Sequence, residues 1–249
     1  NMGMTDNEPT DHEFSSGQGF NEEYEEFTLD PPELSADPTS VDPVDTRVIT
    51  DELDKRNIAS DQVDVEQLVD VGLSYMQINR FEEATETFER AARFAPEESL
   101  AAQEAWVNKG AAHGQLEEWD EAIGSYKEAL RIDDESEHAA SAETNLAYAL
   151  WEAGETESAL QHAERAVKVD PRFPQAWYNR GFFLHERGLN EEAVSAFDNA
   201  IRLGMQTADV LEEKARALDE LGRDEEAEQT QTQAEELRRE REQELLEDQ

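Results

Sequence analysis

The chain of 249 residues contains no cysteine, which excludes disulfides and thiolate chemistry. It is poor in base: 21 Lys and Arg stand against 62 Asp and Glu, a formal net charge of −41. A surface that tracks phosphates needs a basic stripe, so direct nucleic-acid binding is not expected. No apolar run reaches the roughly 18 residues of a membrane span, and no membrane association is expected. The opening residues carry no basic segment followed by an apolar core, so the sequence predicts no secretory leader and a cytoplasmic location. Glycine-rich phosphate loops and the GxSxG elbow are also missing. His12, His113, His138, His162 and His185 are scattered without the ligand pairs of a zinc site, and Glu186 beside His185 is an ordinary neighbour pair on a helix. Neither metal, cofactor nor catalysis is expected.

The acidity extends through the whole chain, and two readings of it stand. One is adaptation to a high-salt cytoplasm, such as that of a halophilic archaeon. At molar salt the Debye length falls to about 3 Å, which screens self-repulsion that would strain such a chain in dilute buffer. The other is an acidic, partly disordered interaction protein of an ordinary cell.

Residues 1–48 hold Pro9, Pro31, Pro32, Pro38 and Pro43 among acids, with Arg47 the single base. Such a segment buries too little apolar surface to offset its ordering entropy, so an acidic disordered tail is predicted. Within it "GFNEEYEEFTLDPPEL" sets Phe20, Tyr24, Phe27 and Leu29 among acids, either as a docking motif or as incidental aromatics of a solvated tail. Residues 49–64 read as a short helix over Thr50–Arg56 and a linker, with Ser60 or Asp61 capping a helix that starts near Val63.

From residue 65 the chain repeats itself. Gly154, Gly188 and Gly222 are spaced 188−154 = 34 and 222−188 = 34 residues apart, and Ala159, Ala193 and Ala227 keep the same step, as do Ala166, Ala200 and Ala234. This period is that of stacked helical hairpins, and five copies fit between residues 65 and 237. With Pro174 as first residue of the fourth copy, Trp177, Gly181 and Leu184 fall on one stripe of a first helix. That stripe is predicted to pack on the second helix of its own hairpin, with Phe88, Tyr126 and Phe197 filling gaps between hairpins. Extra residues in the first two copies are assigned to turns at "PEESLAAQ" and "DDESEHAA". Residues 238–249 continue as a charged helical extension whose polar face suits a solenoid end.

The W-x₃-G-x₂-L of Trp177, Gly181 and Leu184, the Ala193/Phe197/Ala200 triplet, and Pro96 and Pro171 resemble the tetratricopeptide repeat (TPR) family. The sequence departs from that pattern at Glu143, where Leu or Trp is usual, and at Lys109, Arg180 and Lys214, whose stems can cover apolar surface while their heads stay wet. The resemblance implies an all-α, right-handed superhelical solenoid with a concave groove that binds segments of other proteins, and a non-catalytic scaffold or adaptor.

In that geometry the sixth position of the first helix faces the groove, and it is Asn108, Asn145 and Asn179 in three successive copies, but Asp70 and Glu213 at the ends. These carboxamides either hold a peptide backbone by donor and acceptor or bond a neighbouring hairpin. Tyr148, Trp151, Tyr178 and Phe182 either anchor a partner or pack between hairpins. A clamp for an acidic C-terminus is disfavoured: Arg216, with the edges of Lys109 and Arg180, is outnumbered by Glu66, Asp70, Glu104, Glu186, Asp209, Glu212 and Glu213. A basic or apolar ligand suits the charge better. Two further possibilities are occupation of the groove by the acidic-aromatic tail, a tethered segment at high effective concentration, and self-association in a larger assembly.

Overall fold

The computed structural model of the protein describes residues 64–247. The tail with Phe20, Tyr24, Phe27 and Leu29, the short helix over Thr50–Arg56, and Ser60 and Asp61 lie outside the described residues. Within them the chain forms helices α1 (Val65–Gln77), α2 (Phe81–Phe94), α3 (Leu100–Gln115), α4 (Trp119–Ile132), α5 (Ala139–Glu152), α6 (Thr156–Val169), α7 (Pro174–Glu186), α8 (Asn190–Arg202), α9 (Ala208–Glu220) and α10 (Asp224–Glu247). Paired in order, they make the five hairpins of an all-α solenoid.

Local signals set the helix starts. The Asp64 carboxylate accepts from the Gln67 amide at 3.1 Å, so this residue, rather than Ser60 or Asp61, caps the first helix, three residues before the amide it satisfies. Ser99 caps α3 and Thr207 caps α9 in the same way, and Pro174 opens α7, where its missing N–H costs nothing.

Every hairpin then turns by one backbone device. The amide sixteen residues into the copy donates to the carbonyl of the eleventh: Arg80 to Tyr75 at 2.9 Å, Glu118 to His113 at 3.0, Glu155 to Leu150 at 2.8, Leu189 to Leu184 at 2.9 and Arg223 to Leu218 at 3.0. The residue between must enter the left-handed region, which explains the 34-residue glycine period: Gly154, Gly188 and Gly222 have φ of 84°, 75° and 70°. Asn79 and Glu117 take the same place in the first two hairpins with φ of 59° and 58°, a conformation that disfavours a side chain such as that of Glu117.

Inside three of the five hairpins a glycine meets a large ring. Gly72 lies against the Phe88 ring, Gly110 against Tyr126 and Gly181 against Phe197. These rings therefore fill the crossing within their own hairpins rather than the gaps between hairpins, because a helix without a Cβ at that point lets its partner approach. The repeating alanines of the second helices, from Ala84 and Ala91 to Ala234, are buried at the same crossings. Trp177 lies against the main core and also reaches beyond it. It is only partly buried, packs with Ala140, Val167 and Phe173 at the junction to the preceding hairpin, and donates from its indole to the Pro171 carbonyl at 2.9 Å.

Between hairpins the first helices touch one another in sequence, α1 to α3, α3 to α5, α5 to α7 and α7 to α9, and so form the inner row of the solenoid. Three of the four junctions carry the same ion pair from a first helix back to the preceding second helix: Lys109–Glu89 at 3.4 Å, Arg180–Glu164 at 3.9 and Lys214–Asp198 at 2.7. The heads of these bases, expected to stay wet, are thus paired across junctions. At the α4–α5 junction the equivalent positions hold Lys127 and buried Leu146.

The extra residues divide differently from expectation. Leu100 to Gln103, within "PEESLAAQ", lengthen α3 instead of looping, because Ser99 supplies a cap. The segment between α4 and α5 does loop, and buried Gln103 pins it by donating to the carbonyls of Ala129, at 2.9 Å, and Asp133, and by accepting from Ser136 Oγ at 2.6 Å. At the far end α10 continues from the fifth hairpin without a break as far as Glu247, the last described residue.

Candidate functional site

The inner row presents one side chain set from each first helix, and the expected groove residues fall into two groups. Asn108, Asn145 and Asn179 are buried behind the surface. Asn179 accepts from Gln175 Nε2 at 3.1 Å and donates from Nδ2 to the Thr144 carbonyl on α5 at 3.3 Å, a bond between neighbouring hairpins. Asn145, 1% exposed, meets the buried Tyr126 hydroxyl of the hairpin before. The cause is the sequence of α5, whose Ala139, Ala140, Ser141, Ala142 and Ala147 are small enough to let α3 and α7 close over that helix.

The aromatic residues divide similarly. Tyr178 and Phe182 are buried, the first beside Phe197 with centroids 6.1 Å apart. Burial pushes the Tyr178 phenol above its ordinary range, and the carboxylates of Glu213 and Asp209 push the same way. Trp151 stacks on Phe183 at 5.0 Å and meets the edge of Phe182 at 5.6 Å, while Tyr148 meets Trp119 edge-on at 6.0 Å. Both keep part of their surface in water. Arg216 on α9 is half exposed, its side chain 51% accessible, and its Nη1 donates to Glu213 Oε1 at 3.0 Å.

Acidic groups surround this row at both ends. Burial raises the Glu104 carboxyl, His138 counteracts, and Asp70, Glu137 and Glu66 add to the rise across α1, α3 and the start of α5. At the other end burial raises Glu213, Arg216 and His185 counteract, and Glu186 and Glu212 reinforce it. The arrangement can hold an apolar segment with basic groups, and it opposes an acidic one.

The pattern of repeats gave no sign of one further pair. Glu143 on α5 and His162 on α6, both largely buried, meet at 2.5 Å between Oε2 and Nδ1. The signal available was that both depart from the pattern in one hairpin, since the next has buried Ala196 at the position of His162. His185, adjacent to Glu186, is held by Asn190 Oδ1 at 2.7 Å. Among the described residues no three His, Asp or Glu side chains are placed to hold a metal, and no helix is long and apolar enough to cross a membrane.

Models of the tetratricopeptide repeat match residues 68–98, 100–172, 144–208 and 186–241. Photosystem I assembly protein Ycf3 of Acaryochloris marina is 30% identical over 88 residues, covering 35% of this chain and 53% of that protein. The chain thus spans about half the length of this curated relative. Among solved structures, MamA superposes with a TM-score of 0.59 at 19% identity, covering 70% of this chain and 97% of MamA. YrrB, "a TPR protein with an unusual peptide-binding site", superposes with a TM-score of 0.55 at 19% identity, covering 78% and 92%. At these identities the structures show a shared fold.

Proposed function

The chain belongs to the tetratricopeptide-repeat family, and from that premise we propose that it is a non-catalytic scaffold or adaptor holding a segment of another protein on its inner face. The observation that carries this reading is the inner row itself. Five first helices run side by side, and partly exposed Tyr148 and Trp151 lie in that row with exposed Arg216. Aromatic surface of this kind anchors partners at low entropic cost. Asn179 then acts from behind, tying α7 to α5, the helix that carries Tyr148 and Trp151, while Asn108 and Asn145 are buried in the same layer. A net charge of −41 further supports work at high salt, where the apolar part of the contact carries most of the affinity.

Capture of partners at molar salt with the parent and with a Tyr148→Ala/Trp151→Ala double variant tests the proposal. Both side chains keep part of their surface in water, and an unchanged thermal melt of the variant separates lost binding from lost fold. Loss of a captured protein with the double variant is the expected result. Full retention of every captured protein would move binding off the inner face.

A further inference from the structure

Glu213 occupies the position on α9 that asparagine holds on α3, α5 and α7. It is 3% exposed, and its two oxygens are treated unequally. Oε1 accepts from Arg216, whereas Oε2 is buried without a hydrogen-bond partner. An ionised carboxylate is acceptor-only, with about four lone-pair sites, so a buried oxygen without a donor is an unfilled demand. Glu186 and Glu212 add negative potential, and Arg216 and His185 oppose it. Glu212 and Asp209 are already engaged by Arg238 of α10, at 2.8 and 3.5 Å. Glu213 is thus a buried acid whose neutralisation is incomplete.

We infer that this end of the inner face recognises a basic side chain, a lysine or arginine of a bound protein segment, which takes the Glu213 carboxylate as its counter-ion. The inference rests on the reading of the inner face as a segment-binding surface and names the chemistry of the segment. An arginine presents a planar fork that can engage both carboxylate oxygens, which Arg216, bonding through Nη1 alone, does not. Arg216 follows Glu213 by one helical turn and is half exposed, so it can swing out and open a path to Oε2. Burial as the largest influence on Glu213, with cations opposing it, supports the same view, because an incoming cation supplies the stabilisation that the carboxylate lacks. Charge also selects the occupant. A second copy of this chain brings a net charge of −41, and residues 1–48 offer Arg47 alone among their acids, so a basic segment of another protein is favoured over both.

The test is selection of displayed random decapeptides against the full chain, against Glu213→Gln and against Arg216→Ala, at low and at molar salt. Peptides retained by the parent should share a lysine or arginine position, and an uncharged replacement there should weaken binding about tenfold, the scale of a hydrogen bond between charged groups. Glu213→Gln should bind peptides without that preference, and Arg216→Ala should bind the basic peptides more tightly. Recovery of peptides with no recurring base, or the same preference in Glu213→Gln, overturns the inference while leaving the binding surface in place. Recovery of no peptide by the parent overturns the binding surface and this inference with it.

Discussion

The ring of Phe197 lies so close to Gly181 that a Cβ added there would stand 2.7 Å from its Cε1. Two opposing effects then decide the outcome of Gly181→Ala. Alanine is favoured over glycine in a helix by about 1 kcal/mol, whereas overpacking a filled crossing costs roughly 1–3 kcal/mol. The ring is fully buried, so it can yield only within the packed interior, and net destabilisation is expected. Gly124 on α4 supplies the control, because a Cβ there meets nothing within 4 Å. Gly124→Ala is expected to stabilise by about 0.5–1 kcal/mol. Denaturant midpoints for the two variants should move in opposite directions, and equal shifts would show that close packing does not govern the glycine.

The buried Glu143–His162 pair invites a double-mutant cycle. Breaking a buried, hydrogen-bonded pair by removing one partner costs about 3–5 kcal/mol, but replacing both with apolar groups can be neutral. His162→Ala alone is therefore expected to lose most of that amount. Glu143→Leu combined with His162→Ala should recover part of it, because leucine at position 143 restores the residue usual at this place in the repeat. Additive losses would mean that the two side chains do not depend on each other.

These contrasts mark where legibility ended. Hairpins were readable because their causes are local: the turn at Gly188 needs a left-handed residue, and Ala193 and Phe197 follow at fixed offsets within one unit. The Glu143–His162 contact was not, since it joins two helices whose relative rotation no spacing states. Asn145 was read as a groove residue, yet its burial depends on how far α3 and α7 close over α5, which follows from the sum of small residues along that helix. Lys109, Arg180 and Lys214 were recognised as departures, but their acids, Glu89, Glu164 and Asp198, belong to the preceding hairpin, and only stacking brings them together.

Glu213 gives a pH dependence of definite sign. Burial raises its carboxyl above the ordinary 4.5, so the folded chain holds this proton more tightly than the unfolded one. The resulting stabilisation is complete below the unfolded value and is lost as pH rises through the raised folded value. Glu213→Gln removes the ionisation and is expected to be more stable than the parent at neutral pH, with the advantage shrinking as pH falls toward 4.5. Thermal melts of both proteins across this window check it. An advantage that grows on acidification would reverse the sign and remove burial as the dominant influence.

The response of stability to salt decides whether the acidity is an adaptation to concentrated electrolyte. Two electrostatic contributions compete. The ion pairs between hairpins weaken as salt rises, but each joins a base to a substantially exposed acid and is worth only about 0.2–1 kcal/mol. Repulsion within a chain of net charge −41 weakens over the same range and acts throughout the solenoid, so its relief should dominate. Melting temperature is therefore expected to rise with KCl, most steeply where the Debye length shortens from about 10 Å at 0.1 M to about 3 Å at 1 M. Sucrose separates this from general exclusion, since it favours burial without screening charge. A KCl rise that sucrose at equal osmolality does not reproduce is the expected outcome. A flat or falling response to KCl would remove the high-salt reading and leave the charge to be explained by the partners it attracts.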